Sequence, residues 1–299
     1  MERKLIGQGG GGYTIYLPKK WIEENKLKKG QELNLEISGN DLVISPKPSQ
    51  IKSSTEIKLN SSVESLIRTL ITNSYRAGYD KIKIFFDNDK QFIILQKIIK
   101  TNLIGFEIIK KENDYCIVEN ITEPSFDQFD NLLKKMFMNI EELFDITEKR
   151  FTNSAKEIED YTEVEERILK YDNFCRRVIS RQKLIKKRSE LFWTFLALII
   201  HAQRELYHLN TTLDKKINVS KQTLEIFEKT KEIFQIIQEV YYNKEIEKLS
   251  KTHELQKTIM QKYYSLIQKS SKENIILFHL TNCARQFYLA NSPLSGLIL

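Results

Sequence analysis

The sequence predicts a multidomain chain in three parts: a small basic β module, a compact α/β piece and a long all-helical half. Three observations predict it. Short β-prone runs around glycine turns fill the first 47 residues, strand-like and helix-like runs alternate from Glu56 to Val118, and glycine and proline nearly vanish between Pro124 and the last few residues. At 299 residues the chain exceeds one ordinary core, and a prior of roughly 100–200 residues per domain gives two or three units. Hydrophobic residues at 41% and charged residues at 29% supply a core and a solvated surface, which argues against wholesale disorder.

Within the first part, Lys4–Ile6 and Tyr13–Leu17 read as strands around a glycine loop. Glu32–Ile37 alternates polar and apolar residues, Ser38-Gly39-Asn40-Asp41 turns the chain, and Leu42–Ser45 returns. Pro18, placed at a first helical position, opens a short helix with Trp21 and Ile22 on its apolar side, and Lys29-Gly30 closes the following segment. Fewer than 50 residues close little core, so this module is expected to complete its core with a second copy. Pro46–Ser54 has neither period and reads as a linker.

The second part opens with a strand at Glu56–Leu59. A helix over Ser61–Ala77 follows, with its stripe at Val63, Leu66, Ile67, Leu70 and Ile71 and Gly78 as the residue past its end. Lys81–Phe86, a helix over Lys90–Thr101, Phe106–Lys110, a turn at Glu112-Asn113-Asp114 and Tyr115–Val118 complete a small α/β sandwich. In the third part the apolar stripes support helices over about 125–153, 158–188, 190–217, 219–243, 246–271 and 273–297, an antiparallel bundle whose two sets of three suggest an internal duplication. The expected domains are residues 1–48, 55–122 and 123–299.

Cys116, Cys175 and Cys283 are odd in number and lack a C-x-x-C spacing, so neither a disulfide framework nor a thiolate zinc site is encoded, and a reducing, cytoplasmic compartment is expected. No charged leader precedes an apolar stretch and no apolar run reaches about 18 residues, so export and membrane insertion are not expected. Gly7, Gly9 and Gly12 satisfy G-x-G-x-x-G, but Tyr13–Pro18 is β-prone where a dinucleotide site needs a helix, so the glycines read as a turn. Glu205-x-x-His208 has the spacing of a bundle metal motif. It lacks the second copy that a di-iron site needs, and with His201 on a shared face it reads as a surface or interhelical pair. No strained turn such as G-x-S-x-G aims a nucleophile, so no catalytic residue is proposed and the chain is not expected to be an enzyme.

Two basic groups stand out against a net charge of +7. Arg3, Lys4, Lys19, Lys20, Lys28 and Lys29, with Lys26, crowd the β module. In a symmetric dimer they double onto one face that can neutralise DNA phosphates, while Glu23, Glu24, Glu32 and Glu36 leave a solvated lysine-rich surface as the alternative. Arg176, Arg177, Arg181, Lys183, Lys186, Lys187 and Arg188 wrap around their helix axis and are expected to form a solvated helix end, with a docking patch for an acidic partner as the minority reading.

The run from Arg3-Lys4-Leu5-Ile6 through Thr14-Ile15-Tyr16-Leu17-Pro18-Lys19-Lys20-Trp21 and Leu27-Lys28-Lys29-Gly30-Gln31-Glu32-Leu33 to Leu42-Val43-Ile44-Ser45-Pro46 resembles the SpoVT/AbrB swapped-hairpin module. The resemblance implies an interleaved homodimer that binds double-stranded DNA. Tyr75-Arg76-Ala77-Gly78-Tyr79-Asp80, followed by Ile104-Gly105-Phe106-Glu107-Ile108-Ile109 and the six helices, resembles archaeal-type PhoU regulators carrying this module. That resemblance implies two three-helix repeats and a regulator of phosphate uptake, acting on transcription or, as a non-DNA-binding adaptor, on a phosphate transporter ATPase or sensor kinase. Asp172, Asn173, Arg204 and His208 keep the family's character, but Phe174, Arg176, Gln203 and Tyr207 stand where its acidic residues belong. The PhoU-type metal cluster is therefore not carried over, and no cofactor is expected.

Overall fold

A computed structural model describes residues 2–38, 41–46, 53–122, 128–152, 160–181, 188–213, 219–268 and 272–299. The chain divides into two compact units, Met1–Lys52 and Ser53–Leu299.

Among its described residues the first unit holds two antiparallel hairpins and one helix. Strands β1 (Ile6–Gln8) and β2 (Gly12–Thr14) pair with Ile6 opposite Thr14. Both strands lie nearer the glycines than the sequence predicts, because Gly10 and Gly11 adopt φ of +100° and +88° and so make the reversal between them. Helix α1 (Lys19–Glu24) begins after Pro18, which is extended and caps the helix from outside instead of occupying its first turn. Gly30, at φ +82°, ends the connection to β3 (Leu33–Ser38), which pairs with β4 (Asp41–Pro46). Gly39-Asn40 of the expected turn and most of the expected linker, residues 47–52, lie outside the described residues.

The second unit starts with a four-stranded mixed sheet in the order β5, β6, β8, β7. Strand β5 (Ser54–Lys58) runs parallel to β6 (Lys81–Phe85), joined by α2 (Glu64–Arg76). Helix α3 (Asp89–Asn102) leads to β7 (Phe106–Lys111), and β8 (Tyr115–Asn120) enters between β6 and β7, antiparallel to both. Alternation puts Ile82, Ile84, Cys116 and Val118 on the buried face, where they meet Ile67, Ile71 and Tyr75 of α2 and Leu95 and Ile98 of α3. On the opposite side Lys83 lies over the Phe85 and Tyr115 rings, so that face stays polar. The α2 stripe is narrower than its sequence suggests: Val63 precedes the helix, and both Val63 and Leu66 are exposed.

Seven further helices follow among the described residues: α4 (Gln128–Thr152), α5 (Tyr161–Arg181), α6 (Ser189–Thr212), α7 (Lys221–Asn243), α8 (Leu249–Ile267), α9 (Asn274–Leu289) and α10 (Asn291–Ile298). Helices α4 to α6 pack on one another, α7 to α9 do the same, and α6 lies along α9. One apolar cluster runs through both groups, with Phe137, Phe144 and Phe287 each in ring contact with Phe234 at its centre. The last predicted helix is two helices, because Pro293 cannot donate to the preceding turn and instead occupies the first turn of α10. A 3-10 turn at Ile246–Lys248 precedes α8.

Two glycines hold the α/β layer in register. Gly78, at φ +91°, ends α2, and a Cβ there would meet Arg181 Cγ at 2.8 Å; Gly105, at φ +76°, would put a Cβ 2.0 Å from the Thr122 carbonyl oxygen. We expect Gly105→Ala to cost about 2 kcal/mol or more, since strain and a backbone collision add. Urea unfolding checks this, and an unchanged midpoint would contradict it.

Candidate nucleic-acid interface and the buried arginine network

The six basic residues read from the sequence are all exposed. Arg3 and Lys4 precede β1, Lys19 and Lys20 form the first turn of α1, and Lys28 and Lys29 sit in the turn before β3. The helix brings Lys19 beside Glu23 at 3.7 Å and Lys20 beside Glu24 at 3.8 Å, both as solvent-exposed i, i+4 pairs that contribute little and leave the lysines accessible. The β3–β4 register sets Leu33, Leu35 and Ile37 opposite Pro46, Ile44 and Leu42, so one face of this hairpin is apolar. That face is open: Leu35 is 61%, Ile37 82% and Leu42 57% exposed, and no described residue of the first unit is buried.

The second basic group corrects the sequence reading. Arg176 and Arg177 are 4% and 2% exposed, because α5 lies against the α2 and α3 layer and not against solvent. Arg177 Nη2 donates to Asp80 Oδ1 at 2.9 Å, and its Nη1 donates to the Tyr75 and Tyr79 carbonyl oxygens at 3.0 and 2.8 Å. Its guanidinium also lies over the rings of Tyr75 and Phe106, which meet edge to face at 4.9 Å. Tyr75 Oη donates to the Ile104 carbonyl oxygen, and Arg181 joins Arg177 on Asp80. The Tyr75–Asp80 and Ile104–Phe106 segments therefore build one cage for an arginine of α5. Charge placement within α5 carried no sign of it, because the acceptors lie about a hundred residues away in sequence. Lys183, Lys186 and Lys187 lie outside the described residues, and Arg188 donates to the Leu297 carbonyl oxygen at the end of α10.

A second pair of arginines meets at Asp172. Arg176 Nε donates to Asp172 Oδ1 at 2.8 Å, Arg76 Nη2 to Oδ2 at 3.0 Å, and Arg76 Nε to Asn173 Oδ1 at 2.7 Å. Burial pulls the Arg76 guanidinium below its usual range; Asp172 opposes that fall and Arg176 adds to it. Asp172 and Asn173, neighbours on α5, thus both hold guanidinium groups. At the other motif read from the sequence, Glu205 Oε2 lies 2.8 Å from His279 Nδ1 on α9, an interhelical pair, while His208 and His201 are exposed. Among the described residues, no group of three His, Cys, Asp or Glu side chains could hold a metal ion. All three cysteines are buried thiols, and burial pushes Cys116 up to about 12.

Residues 8–52 match the family model described as antidote-toxin recognition MazE, bacterial antitoxin. An AbrB/MazE-type module therefore occupies the N-terminus, and the match takes in both hairpin turns and α1. It ends where the first compact unit ends. No curated protein matches the chain, and no solved structure does. Among the described residues no helix is long and apolar enough to cross a membrane.

The arginine network makes stability depend on pH through Asp80. Burial raises its carboxyl pKa, but Arg181 and the bonds from Ser53 outweigh burial and hold it below the usual carboxylate value. A depressed folded pKa stabilises fully above the unfolded value of about 3.9 and is lost as pH falls through the folded one. Asp80→Asn is therefore expected to be less stable than the parent at neutral pH, with the gap closing in acid; a gap independent of pH would contradict this. Arg177→Ala, which strips a buried carboxylate of a partner, is expected to cost about 3–5 kcal/mol in the same urea titration.

Proposed function

We propose that this protein is a DNA-binding transcriptional regulator of phosphate uptake. It acts as a homodimer through its MazE-type module and receives its signal in a PhoU-like helical half. The observation that carries the reading is the unfinished core of the first unit. Two short hairpins with an apolar face open to solvent cannot hold themselves folded, and a second copy laid against that face supplies the missing layer. Pairing two copies doubles Arg3, Lys4, Lys19, Lys20, Lys28 and Lys29, and such a set grips a duplex mostly through phosphates. The resemblance of residues 1–47 to SpoVT/AbrB modules supports the same assembly, and the resemblance of the remainder to archaeal-type PhoU regulators supplies the link to phosphate. We assign no reaction to the chain, and its three unpaired buried thiols fit a reducing cytoplasm.

A second reading is favoured by Glu23, Glu24, Glu32 and Glu36, which offset part of the basic charge of the same module. In that reading the module only dimerises, and the helical half docks on a phosphate transporter ATPase or a sensor kinase. Salt dependence separates the two. Lys19→Ala combined with Lys20→Ala is expected to weaken duplex binding and flatten the plot of log affinity against log salt by roughly 0.9 for each phosphate contact removed. An unchanged slope on a folded dimer rejects these lysines as contacts, and no duplex affinity at any salt concentration favours the adaptor.

A further inference from the structure

Helix α2 presents two unlike faces. Ile67, Ile71 and Tyr75 enter the core, while Ser65, Arg68, Asn73 and Arg76 recur at three- to five-residue steps on the other side and line a cavity of about 330 Å³. Asn173 of α5 and Arg204 of α6 close it, so the cavity lies where the α/β layer meets the helical layer within the second unit. Its size falls at the lower end of small-molecule sites, roughly 300–1,000 Å³, and a concave space this small cannot take a duplex.

The charges around it do not balance. Arg76 and Arg176 share Asp172, and Arg68 and Lys97 share Glu64. Arg204 makes no hydrogen bond or ion pair among the described residues, and the carboxylate in electrostatic range of it, buried Glu165, also faces Arg68. The cavity lining thus holds three guanidinium groups and no carboxylate, and each of the three shares its carboxylate with another cation. Donors are also left over: Arg68 Nε is buried without a hydrogen-bond partner, and Arg76 spends Nε and Nη2 on Asn173 and Asp172 and keeps Nη1. Guanidinium groups brought together from two helices, with a surplus of positive charge, match a dianion with several oxygens better than a single carboxylate, which one bidentate fork satisfies.

We propose that this cavity binds a phosphoryl group, either as inorganic phosphate or on a small phosphomonoester, with Arg68, Arg76 and Arg204 on its oxygens and Ser65 and Asn73 within reach as further donors. As the signal-receiving site it rests on the regulatory reading above; as an anion site it stands without DNA. Occupation would join Arg68 and Arg76 of α2 to Arg204 of α6, and Arg76 is already held by Asp172 of α5, which is how a ligand here would act on the packing of the whole second unit.

Equilibrium dialysis of the full chain, without DNA, tests this with inorganic phosphate and glycerol 3-phosphate as probes. Chloride at matched ionic strength and succinate serve as controls. We expect saturable binding of at least one phosphoryl probe, about one per chain, weakened about tenfold by Arg204→Ala and less by Arg204→Lys. Arg204 is exposed, so the variant is expected to keep the parent's unfolding midpoint without ligand. Whichever probe binds assigns the source of the phosphoryl group. Succinate binding as tightly, no phosphoryl binding above chloride at millimolar concentration, or binding unmoved by both Arg204→Ala and Arg68→Ala would overturn the proposal. Each of these results leaves the duplex titration untouched, so failure here and failure of the regulatory reading are told apart.

Discussion

A β module in which no described side chain is buried has nothing to set against the entropy of ordering its backbone, at roughly 1–2 kcal/mol per residue. Leu35, Ile37 and Leu42 stand on one face of a two-stranded hairpin with water where a core belongs. The same face is what gives a second copy something to bury, at roughly 25 cal/mol for each Å² removed from water. In the homodimer proposed above, folding, pairing and the doubling of the basic residues would be one event, and a charge set too sparse in one chain would become dense enough to hold a polyanion.

The second unit is held together in another way. Its two apolar clusters lie on either side of the interface between the α2 and α3 layer and α5, and that interface is crossed by guanidinium groups. Arg177 closes on the C-terminal end of α2, where the helix dipole favours a cation, and Asp80 supplies the countercharge. Arg76 reaches back from α2 to Asp172 and Asn173. Such pairs gain little net energy over apolar packing, but they fix one register between the layers, because sliding by a turn would leave buried charges without partners. A joint made of charges also responds to a charged ligand, which links the cavity beside Arg76 to the order of the helical half.

Much of this was legible in the sequence because period and punctuation act locally. The alternation in β3, the stripe through Ile67 and Ile71 and the stop at Gly78 each follow from a few neighbouring residues. What escaped was set by distant residues. Arg177 and Arg181 read as a solvated helix end because Asp80, which holds both, belongs to another element, and Glu205, expected in a surface or interhelical pair, gave no sign that its partner is His279 of α9. The polar face of α2 places Ser65, Arg68, Asn73 and Arg76 in helical phase, but the cavity needs Asn173 and Arg204 from two other helices, which no local pattern specifies. The division of the last helix at Pro293 could have been read directly, since proline within a helical run marks a boundary.

The measurement that bears most directly on this account is sedimentation equilibrium of the full chain beside a variant carrying Leu35→Asp and Ile37→Asp, each also tested for retention on duplex DNA. The account predicts a dimeric parent that is retained and a monomeric variant that is not, with the second unit still folded. A monomeric parent, or a monomeric variant that holds duplex DNA as well as the parent does, would contradict it.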